Sequence, residues 1–249
     1  MTNVIPIPPI TFAQHIMEQE EKNIYKAGQV LLIDKPKHWT SFAVVKKVNY
    51  LLKGIKVGHA GTLDPLATGL LILCTGKFTK RINEFMAQEK EYTGTFTLGA
   101  TTITYDLEAE PQDFRDITGL TDEAILAAAK QFTGEIAQVP PAHSAIKKNG
   151  QRAYQMARRG EAVKLSPRKI FIREFEIVKV ELPVVHFRVV CSTGTYIRSL
   201  AQDMGVALGC GAFLSSLCRT RIGPFRLEQA LNIEAVEKLI LAQKEDQNG

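Results

Sequence analysis

The sequence has no hydrophobic run long enough to cross a membrane. Its longest apolar stretches, such as Gly69–Cys74, have the length of a strand. Met1–Ile10 has no basic region ahead of an apolar segment, so no secretory leader is expected. Cysteine is scarce: four residues, at 74, 191, 210 and 218, with no CxxC pair and no histidine at zinc-finger spacing. That excludes a disulfide scaffold and a structural zinc site. Buried free thiols in a reducing compartment are expected, hence a cytoplasmic, metal-free protein. There is no GxxxxGK[ST] phosphate loop, internal repeat or low-complexity linker. What remains, 249 residues with 45% hydrophobic and 23% charged, is the composition of a soluble globular chain of one or two domains.

The formal net charge is +5, but the charge is segregated. Between Lys147 and Arg173 nine basic residues (Lys147, Lys148, Arg152, Arg158, Arg159, Lys164, Arg168, Lys169, Arg173) face one acid, Glu161. Asp106 to Glu123 holds seven acids and one base, Arg115. A basic stretch of this density, with Tyr154 interleaved as a stacking platform, suits a phosphate backbone; it also suits a solvated face.

Patterning predicts mixed elements. Pro6, Pro8 and Pro9 mark 1–27 as a peripheral arm, with a short helix over Thr11–Lys22. Strands are expected at Val30–Asp34, Leu70–Cys74, Glu91–Leu98, Ile170–Val180, Val184–Cys191 and Phe213–Ile222. Thr40 or Ser41 caps a helix with Phe42, Val45, Val48 and Leu52 on one face. Further helices are expected at Phe78–Met86, Thr121–Phe132, Gln151–Arg159, Tyr196–Leu208 and Ile233–Gln243, with a hairpin turn at Asn149-Gly150. Gly54–Gly69 reads as a glycine-rich loop. Without regular βα alternation, the fold class is α+β.

The most unusual text is Gly58-His59-Ala60-Gly61-Thr62-Leu63-Asp64-Pro65-Leu66-Ala67-Thr68-Gly69-Leu70. Its glycines permit positive φ, and Pro65 holds Asp64 extended. A carboxylate presented from such an edge serves as a nucleophile or base, or only braces a turn. Arg198, at a helix start, is poorly placed for the helix dipole, which favours an anionic partner for it.

This string resembles the catalytic motif of the TruB family, the synthases that make pseudouridine in the T-arm of tRNA. Other segments match in order: Leu32-Ile33-Asp34-Lys35-Pro36, Lys90-Glu91-Tyr92, Val139-Pro140-Pro141 with Ser144-Ala145-Ile146-Lys147, Cys191 through Leu200, and Leu217 through Phe225. The resemblance spans about Gly28–Phe225. It departs at Ile103, where the family's TDTxD-like stretch has an acid, and at His143, where an aromatic or apolar residue is expected.

The resemblance implies a pseudouridine synthase fold, a mixed, largely antiparallel sheet with peripheral helices and a central RNA-binding cleft. It implies that Asp64 is the catalytic aspartate, that Tyr92 stacks on a flipped base and that Arg198 pairs with the carboxylate. His59, Tyr196, Leu217 and, near the site, Lys80 would hold the target nucleotide. Lys147, Lys148, Arg152, Arg158, Arg159 and Lys164 would meet RNA phosphates. The implied reaction is isomerisation of uridine 55 in the T-arm of tRNA, without a cofactor, and the implied state is a monomer with no protein partner and no membrane. A pure RNA-binding scaffold would not need Asp64, Tyr92 and Arg198 together. The catalytic domain is expected over 28–231 and a helical tail over 232–249. Only 24 residues follow Phe225, too few for the family's C-terminal RNA-binding domain.

Overall fold

The computed structural model describes residues 23–144, 146–148 and 150–248. A helical turn α1 (Ile24–Ala27) precedes strand β1 (Val30–Lys35), helix α2 (Ser41–Leu51), β2 (Val57–Ala60) and β3 (Thr68–Thr75). A 3₁₀ segment, Gly76–Arg81, leads into α3 (Ile82–Met86) and β4 (Lys90–Leu98). Next come α4 (Asp122–Lys130), β5 (Gly134–Gln138), the ribbon β6 (Lys147–Lys148) and β7 (Gln151–Arg152), and α5 (Ala153–Arg158). The chain ends with β8 (Arg168–Glu181), β9 (Val184–Cys191), α6 (Ile197–Ala207), β10 (Ala212–Ile222), β11 (Phe225–Arg226) and α7 (Ile233–Asn248).

Nine strands form one sheet in the order β1-β3-β10-β4-β9-β8-β5, with β11 beside β10 and β2 beside β3. The pairings are antiparallel except β3 with β10, where Thr68 opposes Cys218 and Gly69 opposes Arg219. This is the expected α+β, mostly antiparallel architecture. One core lies where β4, β9 and β10 meet α4 and α6, around Phe96, Phe187, Ile125, Leu200 and Met204. A second packs α2 and α7 on β1 and β3 through Val44, Val48, Leu71, Val236 and Ile240. The tail helix therefore lies on the sheet.

One edge of β3 positions the site. Its far half, Ile72–Thr75, pairs with β2, and its first two residues pair with β10. Leu70 and Leu71 fall in the gap between those two neighbours. The loop 61–67, which carries Asp64, leaves the sheet at that seam.

Several expectations change. The glycine-rich loop is shorter than Gly54–Gly69, because Val57–Ala60 finds a partner in β3. Phe42 does not share the buried face of α2; that face is Ser41, Val44, Val45, Val48 and Leu51, and Phe42 is 61% exposed. Gln151 and Arg152 are strand rather than helix, because they return on Lys147 and Lys148 across the predicted turn, where Gly150 has φ +80°. Phe78–Met86 divides into a 3₁₀ segment and a short helix. Strand β5 was not foreseen: its five residues alternate weakly, and its burial comes from pairing with β8. Residues 23–27, assigned to the arm, pack on the domain, with Tyr25 buried and its hydroxyl donating to Gln243. The helix expected at Thr11–Lys22 lies outside the described residues.

Candidate active site

The loop 61–67 is held from three sides and by one bond of its own. Ser41, at the start of α2, accepts a hydrogen bond from Leu63 N (2.8 Å) and donates to Leu63 O (3.1 Å) through its hydroxyl. His38 N donates to Pro65 O (2.7 Å), and Ala67 N donates to Asp64 O (3.1 Å). Arg219 closes the loop's base: Nε donates to Leu70 O (2.7 Å) and Nη2 to Gly61 O (3.1 Å). Leu70 lies in the gap between β2 and β10, so this guanidinium supplies the donor that neither strand does. The approach needs glycine. Gly69 has φ +96°, and a Cβ there would sit 2.4 Å from Arg219 O.

Lys35 is also fully buried under this loop, donating to Pro36 O (2.9 Å) and Trp39 O (2.7 Å). Burial pulls its pKa down to about 8 against the opposing attraction of Asp64. Lys90, from the Lys90-Glu91-Tyr92 motif, turns away to cap the carbonyls of Met86 and Gln88.

Asp64 is half-buried and meets Arg198, with Nε 2.9 Å from Oδ2. Arg198 is itself anchored. Nη1 donates to Thr104 O (3.1 Å), Nη2 to His143 O (2.9 Å), and Nε lies 3.5 Å from Asp106 Oδ2. Asp106 is buried, and the turn before it is built to hold it: the Thr102 and Thr104 hydroxyls both donate to Asp106 O. Ile103 points outward at 62% exposure, so its departure from the family pattern leaves this support intact. His143 likewise acts through its carbonyl.

The other candidates gather at the same seam, with one exception. Tyr92 lies opposite Arg219 in the β4–β10 register. Burial pushes the Tyr92 pKa up. His59 stands one residue before the end of β2, its Nδ1 buried without a partner among the described residues; burial and the nearby Arg219 lower its pKa, which favours the neutral ring. Tyr196 is half-buried at the position before α6. Gln138 clamps its peptide in both directions, accepting from Tyr196 N (2.8 Å) and donating to Tyr196 O (3.1 Å). Leu217 packs at the core edge opposite Gly94, and Thr68 donates to its carbonyl.

Lys80 is elsewhere. It follows the far end of β3, eight residues or about 26 Å along the strand from its start beside the loop. There it lines a cavity of about 710 Å³ with Lys26, Lys53, Lys56 and Lys77.

The basic segment is tied to the site through its backbone: Tyr154 N donates to Ser144 O and Ala153 N to Ile146 O, next to the His143 carbonyl that holds Arg198. Arg158 is exposed with its guanidinium over the Tyr154 ring (5.6 Å), whereas Arg159 is engaged by Glu161 and Gln151. Among the described residues no cluster of histidine, cysteine and carboxylate side chains could hold a metal.

Sequence reasoning missed Arg219, Asp106 and Gln138. Arg219 stood inside the Leu217–Phe225 motif without a role, because nothing local shows which carbonyls a strand arginine will reach.

The family model for the N-terminal domain of TruB family pseudouridylate synthases matches residues 47–197, and that for the tRNA pseudouridylate synthase B C-terminal domain matches residues 198–248. The chain belongs to the TruB pseudouridylate synthase family. It is an enzyme of the isomerase class. A TruB-family relative named tRNA pseudouridine synthase B from Flavobacterium johnsoniae is 53% identical over 221 residues, 86% of this chain and 96% of that protein. One of the same name from Chlorobaculum tepidum is 49% identical over 214 residues, 84% of this chain and 89% of that protein. Among solved structures, a Cbf5-Nop10-Gar1 complex aligns with TM-score 0.70 and 31% identity over 98% of this chain and 63% of that one. An H/ACA RNP bound to a substrate RNA containing 2'-deoxyuridine aligns with TM-score 0.67 and 29% identity over 90% of this chain and 57% of that one. This TruB-family chain thus spans less than two thirds of those two structural relatives. The two family models meet between Ile197 and Arg198, yet the fold is continuous there: α6 runs through the boundary, and β10 inserts between β3 and β4.

Proposed function

We propose that the protein isomerises uridine 55 of the tRNA T-arm to pseudouridine, with Asp64 as the catalytic carboxylate. The observation that carries this reading is the ion pair between the half-buried Asp64 and the buried Arg198. The relatives named tRNA pseudouridine synthase B support the substrate.

The reaction breaks the C1′–N1 bond, turns the uracil and forms a C1′–C5 bond; N1 gains a proton and C5 loses one. There is no net redox change. Asp64 faces the reacting nucleotide as nucleophile or base while Arg198 holds it in place. Tyr92 offers its ring to the uracil, and Tyr196 and Leu217 supply the walls of the pocket. The target must leave its stack, which costs a few kcal/mol and is offset by these contacts. Lys147, Lys148, Arg152, Arg158, Arg159 and Lys164 hold the RNA backbone beside the cleft. A cytoplasmic setting suits an RNA-modifying enzyme whose cysteines 74, 191, 210 and 218 are free.

The test is mapping of pseudouridine in tRNA from cells lacking the protein, complemented with wild type or Asp64→Asn. Modification at the T-arm uridine restored by wild type alone is the expected outcome. Restoration by both forms removes Asp64 from the mechanism, and failure of wild type to restore it removes the substrate.

A further inference from the structure

The stretch 147–173 is not the only basic one. From Lys35 to Asn83 there are nine lysines and arginines and a single acid, Asp64 itself. Helix α2 presents part of this stretch outward. Its inner face is buried on β1, β3 and α7. Its outer face carries Phe42, Lys46 and Tyr50 at intervals of four residues, continued by Lys53 just beyond the helix, so they form one stripe. Phe42 is 61% exposed and Tyr50 80% exposed, and the Lys46 ammonium lies 5.1 Å from the centre of the Phe42 ring. With Val45 and Val57 these residues line an open groove of about 590 Å³.

Three features say what covers this face. First, rings and lysines alternate, and the stripe contains no acid. An RNA strand offers both of the complementary groups, unpaired bases for the rings and phosphates for the ammonium groups. An acidic peptide would match the lysines and leave two rings in water. Second, the stripe is continuous with the catalytic loop: Ser41, adjacent to Phe42, makes both hydrogen bonds to Leu63. Third, α2 spans 11 residues, about 16 Å, so the stripe leads from that loop along the surface. RNA seated at Asp64 has a path along it.

We propose that the outer face of α2, Phe42–Lys46–Tyr50–Lys53, is a second RNA-contact surface, on which unpaired bases of the substrate RNA stack while its phosphates meet the lysines. This rests on the RNA-modifying reading of the Asp64 site. It adds a contact that none of the residues around Asp64 or in the basic segment provides.

The test uses the whole protein and an unmodified tRNA transcript, with binding and initial rates both measured. Phe42→Ala/Tyr50→Ala should raise Kd and KM by about thirtyfold or more, the loss expected for two stacked bases. At saturating RNA kcat should change little. Phe42→Tyr/Tyr50→Phe keeps the rings and should restore both constants. Lys46→Gln/Lys53→Gln should lower the slope of log affinity against log salt by about one to two units. All four side chains are exposed, and the Phe42–Lys46 contact is confined to the helix surface, so thermal melts should show folded variants. Kd and KM within about twofold of wild type for the alanine pair overturn the proposal. So does a fall in kcat at unchanged KM. If wild type binds the transcript but forms no pseudouridine, the functional reading fails, while the comparison of Kd values still decides the stacking surface.

Discussion

The Nε of Arg198 lies 2.9 Å from Oδ2 of Asp64, yet the arginine side chain is 6% exposed and the aspartate 39%. The arginine is the fixed member of the pair and the aspartate the presented one. Arg198 has three other anchors, the carbonyls of Thr104 and His143 and the carboxylate of Asp106. The cation therefore remains compensated when Asp64 is changed. Removing the arginine instead would strand Asp106 in the interior, which costs about 3–5 kcal/mol for a broken buried pair. Substitutions at the two positions consequently report different things.

Asp64→Asn should abolish pseudouridine formation and leave tRNA binding nearly intact, because the side chain is close in shape and Arg198 keeps Asp106. Single-turnover rates and filter binding check this. Turnover above about a tenth of wild type would be too large for loss of a catalytic carboxylate.

Arg219→Met should cost about 3 kcal/mol, since the buried Leu70 carbonyl and the part-buried Gly61 carbonyl each lose a donor worth about 1–3 kcal/mol. Arg219→Lys, reaching one carbonyl, should cost less. In both, kcat should fall more than KM rises, because the loop that aims Asp64 loosens while the RNA-facing surface remains. Denaturant melts and steady-state kinetics measure the two effects. A KM effect alone would place Arg219 in RNA binding rather than in positioning.

In the basic segment, Arg158→Ala should lower the salt slope of tRNA binding by somewhat less than one unit. Arg159→Ala should lower it less, because Arg159 is already engaged by Glu161 at 2.7 Å. Titrations of affinity against salt separate the two; equal slopes for all forms would make this face a solubilising surface.

Asp203 in α6 gives a stability test. Burial pushes its carboxyl pKa from 3.8 up to about 6. Between those values the folded chain keeps a proton that the unfolded chain has lost, so stability falls as pH rises through the window. Above it the deficit is complete. Asp203→Asn should therefore stabilise the protein near pH 7.5 by about 1 kcal/mol, a figure reduced for the exposed part of the side chain, or a Tm rise of about 2–4 °C. Near pH 4 the gain should vanish. An equal gain at both pH values would point to packing rather than ionisation.

Local pattern made much of this legible. The alternation of Tyr92, Phe96 and Leu98 marked β4, and of the two candidate caps for α2, Thr40 and Ser41, it is Thr40 whose hydroxyl accepts from Ala43 N at 2.9 Å. The family resemblance named Asp64, Tyr92 and Arg198, and the fold draws all three toward one seam. Short strands were less readable. β2 and β5 have four and five residues, and what makes them strands is a partner far along the chain. Phe42 was misread for a related reason: helical periodicity gives the angle between residues, while the neighbouring layer decides which angle is buried.

The family, the α+β class and the carboxylate in its glycine-bounded loop were readable from the chain alone, because they depend on residue types and their spacing. That Arg219 bridges Gly61 and Leu70, that Asp106 shares Arg198 with Asp64, and that Lys80 follows the far end of β3 emerge only in the assembled fold. Each of these depends on which backbone carbonyl, carboxylate or strand end arrives within reach once the sheet is assembled. Hydrogen bonds and ion pairs act over about 3–4 Å, and the chain brings residues 61 and 219 that close only by folding.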